Sequence, residues 1–311
     1  MRWVYRVPLI ILGVVTILLV VITVMSWVKG IRLNTQFETH EVSDYIVLEV
    51  EGLNMAYREY GAIDNPVIVL VHGFLGSSYD YRYLSEALAD DYYVIAIDLI
   101  GFGGSDKPAD FDYSRESHAT MIHAFLQEKD IDRYILGGHS MGGAITLYYA
   151  HLFPENVEAI MLFASAGLSE NSPNALPRLF YALIFKNYYL QRLGFSSVHY
   201  QKEYQTAAYF DPMFYFTRQI PSKTLQAFSL SSDTIRINDF IDDIEIPALI
   251  IFGKEDSWIP YQVGEMLDER LSSSTLVLLE DTGHIPFIES TEDTLEAVLA
   301  FLEMIELISE D

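Results

Sequence analysis

A serine stands between glycines in Gly138-His139-Ser140-Met141-Gly142, directly after an apolar run and at the start of a helix-like segment. A sharp strand-to-helix turn there strains the backbone at Ser140, and side chains at 138 or 142 would collide with neighbouring elements. Such a turn lifts the hydroxyl into a cleft as a nucleophile; the alternative is an ordinary helix start capped by serine. A serine hydroxyl is weak near neutral pH and needs a histidine base, itself oriented by a carboxylate. Of the eight histidines, His284 in "EDTGHIPFIE" falls between the last predicted strand and the last predicted helix. Upstream, "IIFGKEDSWIP" ends a strand in a loop carrying Glu255 and Asp256. The order serine, acid, histidine is the one this chemistry takes on a parallel α/β sheet. Asp256 is the expected acid, with Glu255 and Asp281 as rivals.

The tetrahedral intermediate needs two backbone N–H donors, one after the nucleophile and one in the loop after an earlier strand. Met141 supplies the first, and Phe74 in "VLVHGFLGSS" the second, because His72-Gly73 lets the chain turn sharply. His72 suits a structural role under that loop. Leu75, Phe210 and Trp258 are candidate pocket residues. The glycines of "DLIGFGGSDKP", Asp98 to Pro108, do not match a dinucleotide fingerprint, and the loop reads as structural. No cofactor and no metal is called for, since the acidic loops form no ligand cluster.

These loops need a scaffold. "YIVLEV" and "MAYREY", around Gly52-Leu53-Asn54, form an opening hairpin, and "PVIVLVHG", "YYVIAIDL", "RYILGGHS", "VEAIMLFAS", "PALIIFG" and "STLVLLED" read as buried strands. Helices are expected at Tyr79 to Ala89, Ser114 to Lys129, Met141 to Phe153, Tyr261 to Leu271 and Thr291 to Ile308. The alternation predicts a mostly parallel sheet covered by helices on both faces. It is interrupted over residues 168–236 by an aromatic-rich segment, a helical cap whose underside faces an apolar substrate. The core thus occupies 45–167 and 237–311.

Ahead of it, Val7 to Val28 is uncharged and long enough to cross a bilayer, which predicts a transmembrane signal-anchor over 1–30 and a polar linker over 31–44. A cleaved signal peptide is the rival, with Val24-Met25-Ser26 a weak cleavage site. Arg2, Arg6 and the charged amino terminus before the helix, against Lys29 and Arg32 after it, place the amino terminus in the cytoplasm and the rest outside it. With 44 Asp+Glu against 19 Lys+Arg, the net charge of -25 repels nucleic acid. Lack of cysteine excludes disulfides and thiolate chemistry.

From about residue 45 to 308 the chain resembles the α/β-hydrolase fold superfamily, through "HGFLGS", "DLIGFGGSDKP", "GHSMGG", "GKEDSWIP" and "DTGHIPFIE" in family order. The resemblance implies a triad of Ser140, Asp256 and His284, and it favours Asp256 over Glu255. It is similar to haloalkane dehalogenases and epoxide hydrolases in cap and flanking motifs, but those use aspartate where Ser140 stands. The "GHSMGG" form resembles carboxylesterases and monoacylglycerol lipases, which implies hydrolysis of a lipid-like ester through an acyl-enzyme, without cofactor. Carbon–carbon bond hydrolases, perhydrolases and proline iminopeptidases share the triad, and a non-catalytic ligand-binding protein of this fold is the alternative of another class.

Overall fold

A computed structural model describes residues 6–38, 41–168 and 184–309. Its strands are β1 (Ile46–Val50), β2 (Leu53–Tyr60), β3 (Val67–Val71), β4 (Tyr93–Ile97), β5 (Tyr134–His139), β6 (Val157–Phe163), β7 (Ala248–Gly253) and β8 (Ser274–Leu279). They form one sheet in the order β1-β2-β4-β3-β5-β6-β7-β8. Strand β2 pairs antiparallel with β1 and β4, and every other pairing is parallel. The hairpin turns one step earlier than expected, at Glu51 and Gly52, whose φ values of 50° and 76° match the twist of the flanking strands.

Alternate side chains of one strand enter different cores, as the pleat requires. Val69 and Val71 of β3 join Ile95, Leu136 and Ile250 on one face, while Ile68 and Leu70 join Val94, Leu249 and Ile251 on the other. The first face is covered by α3 (Arg115–Glu128), α4 (Met141–Leu152) and α8 (Gln262–Arg270), the second by α2 (Arg82–Leu88) and α10 (Thr291–Ser309). Helix α3 starts at Ser114, whose hydroxyl accepts from the Ser117 N–H at 3.2 Å. Helix α2 is shorter than expected: Ser78–Tyr81 forms a 3-10 turn, because the Asp80 and Asp98 carboxylates take the Ser77 and Ser78 amides.

Between β6 and β7 lies the helical insertion, with α5 (Tyr188–Phe195), α6 (Ala207–Thr217) and α7 (Ser222–Leu230). Stretch 169–183 of the expected cap, like Arg2, lies outside the described residues. Helix α1 (Arg6–Phe37) corrects the expectation of a linker over 31–44. No proline or glycine follows Gly30 before Phe37, and the helix runs on because it has something to bury. Ser26, Gly30, Leu33 and Phe37, spaced by four, three and four, form its buried stripe. Leu33 and Phe37 pack with Tyr188, Phe195, Phe210 and Phe214 of the cap. Within Val14–Phe37 an 18-residue stretch has a mean hydropathy of 2.3, and the earlier turns of the span stay exposed.

Candidate active site

Ser140 sits between β5 and α4 at φ 53° and ψ -115°, a region that non-glycine residues occupy only when the surroundings hold them there. Its N–H donates to Phe163 O at 3.0 Å, and its carbonyl accepts from Ala166 N at 2.9 Å. A Cβ on Gly138 would lie 2.3 Å from Gly142 O, and one on Gly142 would lie 2.2 Å from Val71 O. Both collisions are with backbone, so neither position tolerates a side chain.

His284 follows β8, and its Nδ1 donates to Asp256 Oδ2 at 2.7 Å, both side chains being buried. Asp256 Oδ1 accepts from the N–H groups of Trp258 (2.7 Å) and Ile259 (3.0 Å). The carboxylate is therefore held at both ends, and the paired Nδ1–H leaves Nε2 as the basic nitrogen. The rivals are placed elsewhere: Glu255 accepts from Thr282 N at 3.0 Å, and Asp281 is exposed. The ring of His139, next to the serine, donates from Nε2 to His284 O at 2.8 Å, which brings the histidine loop against the turn. Among the described residues no hydrogen bond joins Ser140 to His284, and Ser140 Oγ has no other partner.

Phe74 and Met141 amides are likewise uncommitted among the described residues. Phe74 lies in a turn closed by Gly76 N to Gly73 O at 3.0 Å, with Leu75 at φ 63°, where such turns prefer glycine. His72 supports it: Nε2 accepts from Leu99 N at 3.1 Å, so Nδ1 carries the proton and donates to Gly73 O at 2.7 Å. Phe74 stacks on Phe228 of α7 at 4.9 Å and meets Phe185 edge-on at 6.0 Å, so the cap rests on this loop. Leu75 is partly buried against the same core. Trp258 is 53 % exposed and stacks over His284 at 5.8 Å. Phe210 corrects its expected role: it is 0 % exposed inside the cap's own aromatic cluster and offers no surface to a ligand.

A strap after α5 is not legible in the sequence because it has no periodicity. Ser197 accepts from Ser257 Oγ (2.8 Å) and Trp258 Nε1 (3.0 Å), and Val198 O accepts from His284 N (2.9 Å). Glu289 of α9 (Pro286–Glu289) then accepts from Tyr200 N at 2.8 Å and Gln201 N at 3.0 Å. The only sequence signal was an acid one turn beyond His284.

Two further histidines are buried and neutral. Burial, then the neighbouring His284 ring, holds His139 well below its usual range. Burial, then His72, lowers His118 to about 3, and both its ring nitrogens lack partners. The unfolded chain would protonate His118 near 6.5 whereas the folded chain would not, so folding loses stability as pH falls below about 6.5. His118→Leu removes that proton linkage. Its stability advantage over wild type is expected to grow from pH 7 to pH 4 by up to about 1.4 kcal/mol per unit in denaturant titrations. A constant difference would refute this reading.

Among the described residues no group of His, Asp or Glu is placed to hold a metal. A family model described as alpha/beta hydrolase fold matches residues 66–291. Lipase 1 of Psychrobacter immobilis is 30 % identical over 268 residues, covering 82 % of each chain. A 2-hydroxy-6-oxo-6-(2'-aminophenyl)hexa-2,4-dienoic acid hydrolase of Metapseudomonas resinovorans is 29 % identical, covering 81 % of this chain and 88 % of its own. The crystal structure of a membrane phospholipase A, described as a bacterial virulence factor, superposes with a TM-score of 0.76 at 26 % identity, over 96 % of this chain and 99 % of that one.

Proposed function

The chain belongs to the α/β-hydrolase fold family, and from that premise we propose that it is a membrane-tethered serine hydrolase of lipid-like carboxylic esters. The observation that carries this reading is the Asp256–His284 pair, brought by His139 against a serine held at positive φ. Similarity to Lipase 1 and to the membrane phospholipase A supports an ester substrate.

In this mechanism His284 Nε2 takes the Ser140 proton as Oγ attacks the ester carbonyl. The Phe74 and Met141 N–H groups hold the oxyanion, and Asp256 stabilises the imidazolium. The imidazolium returns its proton to the leaving alcohol, and an acyl-enzyme remains on Ser140. Water, deprotonated by the same nitrogen, releases the acid and restores the serine. Helix α1, with its exposed apolar turns, tethers the enzyme to the bilayer.

The test is hydrolysis of nitrophenyl esters from acetate to palmitate by the full chain in detergent, beside Ser140→Ala. Turnover should peak at a defined chain length and fall by about 10⁴ or more in the variant. Equal turnover by both proteins, or none by folded wild type, would sink the esterase reading.

A further inference from the structure

The junction between α1 and the cap holds more cations than acids. Ser26 Oγ accepts from Tyr188 N at 2.8 Å and donates to Lys186 O at 3.4 Å. Lys29 pairs with Asp211 Oδ2 at 2.7 Å, and Asp211 Oδ1 accepts from Tyr188 OH at 2.7 Å. That acid is therefore committed. The Arg218 guanidinium packs on Gly30, where a Cβ would lie 2.7 Å from its Nε, and donates to Asn34 Oδ1. Lys186 and Arg218 are left without an acidic partner among the described residues. Both meet one stretch of α1: Lys186 O accepts from Ser26 Oγ and the Arg218 guanidinium lies on Gly30, one helical turn on; burial, and then the Arg218 charge, pushes the Lys186 ammonium down.

In a chain of net charge -25 acids to neutralise this pair are abundant, yet none among the described residues is placed there. Its depth says what anion could. At 1.5 Å per residue the uncharged run 7–28 spans about 33 Å, close to the hydrocarbon thickness of a bilayer. Gly30 and Asn34, against which Arg218 lies, then fall at the level of the lipid phosphates. Trp27, 63 % exposed, sits at the boundary favoured by interfacial aromatics.

We propose that Lys186 and Arg218 bind the phosphate of a membrane phospholipid where the anchor meets the cap, a proposal that rests on reading α1 as a membrane anchor. The arginine supplies a planar fork and the lysine a point charge. The bound headgroup fixes the cap against the bilayer, apart from the site at Ser140.

The experiment titrates detergent-solubilised full-length protein with phosphatidylglycerol, followed by native mass spectrometry, with inorganic phosphate as competitor. Lys186→Ala/Arg218→Gln should bind the lipid about tenfold more weakly, the loss of roughly one charge-assisted hydrogen bond. Lys186→Ala alone, which leaves the backbone contact with Ser26 in place, should weaken it in the same direction. Arg133→Gln, another exposed cation, should leave it unchanged. Equal binding by wild type and both pocket variants overturns the proposal, and inorganic phosphate that displaces the lipid mole for mole overturns the lipid source. Co-flotation with vesicles separates the two readings. If wild type fails to float, the anchor reading falls and the proposal with it; if it floats while the variants bind lipid normally, the proposal falls alone.

Discussion

Asp256→Asn is expected to lower kcat on a nitrophenyl ester by about 10⁴ while leaving the fold intact. Both carboxylate oxygens accept hydrogen bonds, Oδ1 from two backbone amides and Oδ2 from His284 Nδ1. An asparagine must keep its one oxygen on the Trp258 and Ile259 amides, since its NH₂ group cannot accept from them. The NH₂ then faces His284 and can only donate to Nδ1. That forces the proton onto Nε2, the nitrogen that must be bare to take the Ser140 proton. Glu255→Gln, whose carboxylate serves Thr282 N instead, should retain most of the activity. Steady-state kinetics of both variants, with circular dichroism to verify folding, decides the matter. If Asp256→Asn kept more than about a tenth of wild-type kcat, the orienting role would be untenable.

Much of this arrangement is legible in the residues, and the parts that are not share a physical cause. Buried strands write themselves as apolar runs, so each one quoted from the sequence lies within two residues of a strand. The glycines of the turn are legible because contact with backbone leaves no alternative residue. Glu255 and Asp256 cannot be separated on residue type, since both are acids in one loop; the separation is made by the Trp258 and Ile259 amides, which only folding brings to Asp256. Phe210 illustrates the limit for aromatics. Composition says that the cap has an apolar underside, but not which ring faces a substrate and which fills the cap's own core. The stretch after Gly30 reads as a linker because its apolar residues, Ile31, Leu33 and Phe37, are diluted by polar ones. Their helical spacing becomes meaningful only when a partner surface is known, and that surface belongs to the cap, far along the chain.

Deleting residues 1–38 should therefore do more than remove the proposed membrane anchor. Leu33 and Phe37 are almost fully buried, and Phe37 meets the Tyr215 ring at 5.5 Å. Removing buried side chains of this size costs roughly 2–5 kcal/mol each when truncated to alanine. The deletion also takes Lys29 from Asp211, whose side chain is only 10 % exposed and, among the described residues, keeps just the Tyr188 hydroxyl. An uncompensated buried carboxylate costs a further few kcal/mol, less here because Lys29 is itself partly solvated. The loss falls on α5 and α6, and α5 leads directly into the strap that holds His284 N and the Trp258 indole. A disturbance at the anchor thus reaches the base by covalent continuity and two hydrogen bonds. The expected result is faster proteolysis within 184–230 and a fall of about tenfold or more in kcat on a short soluble ester, which needs no membrane to reach the site. Deletion of 1–24 keeps Ser26, Lys29, Leu33 and Phe37, and should retain activity on that ester. If the two truncations behaved alike, with wild-type kcat and protease resistance, the docked half of α1 would be a passive tether.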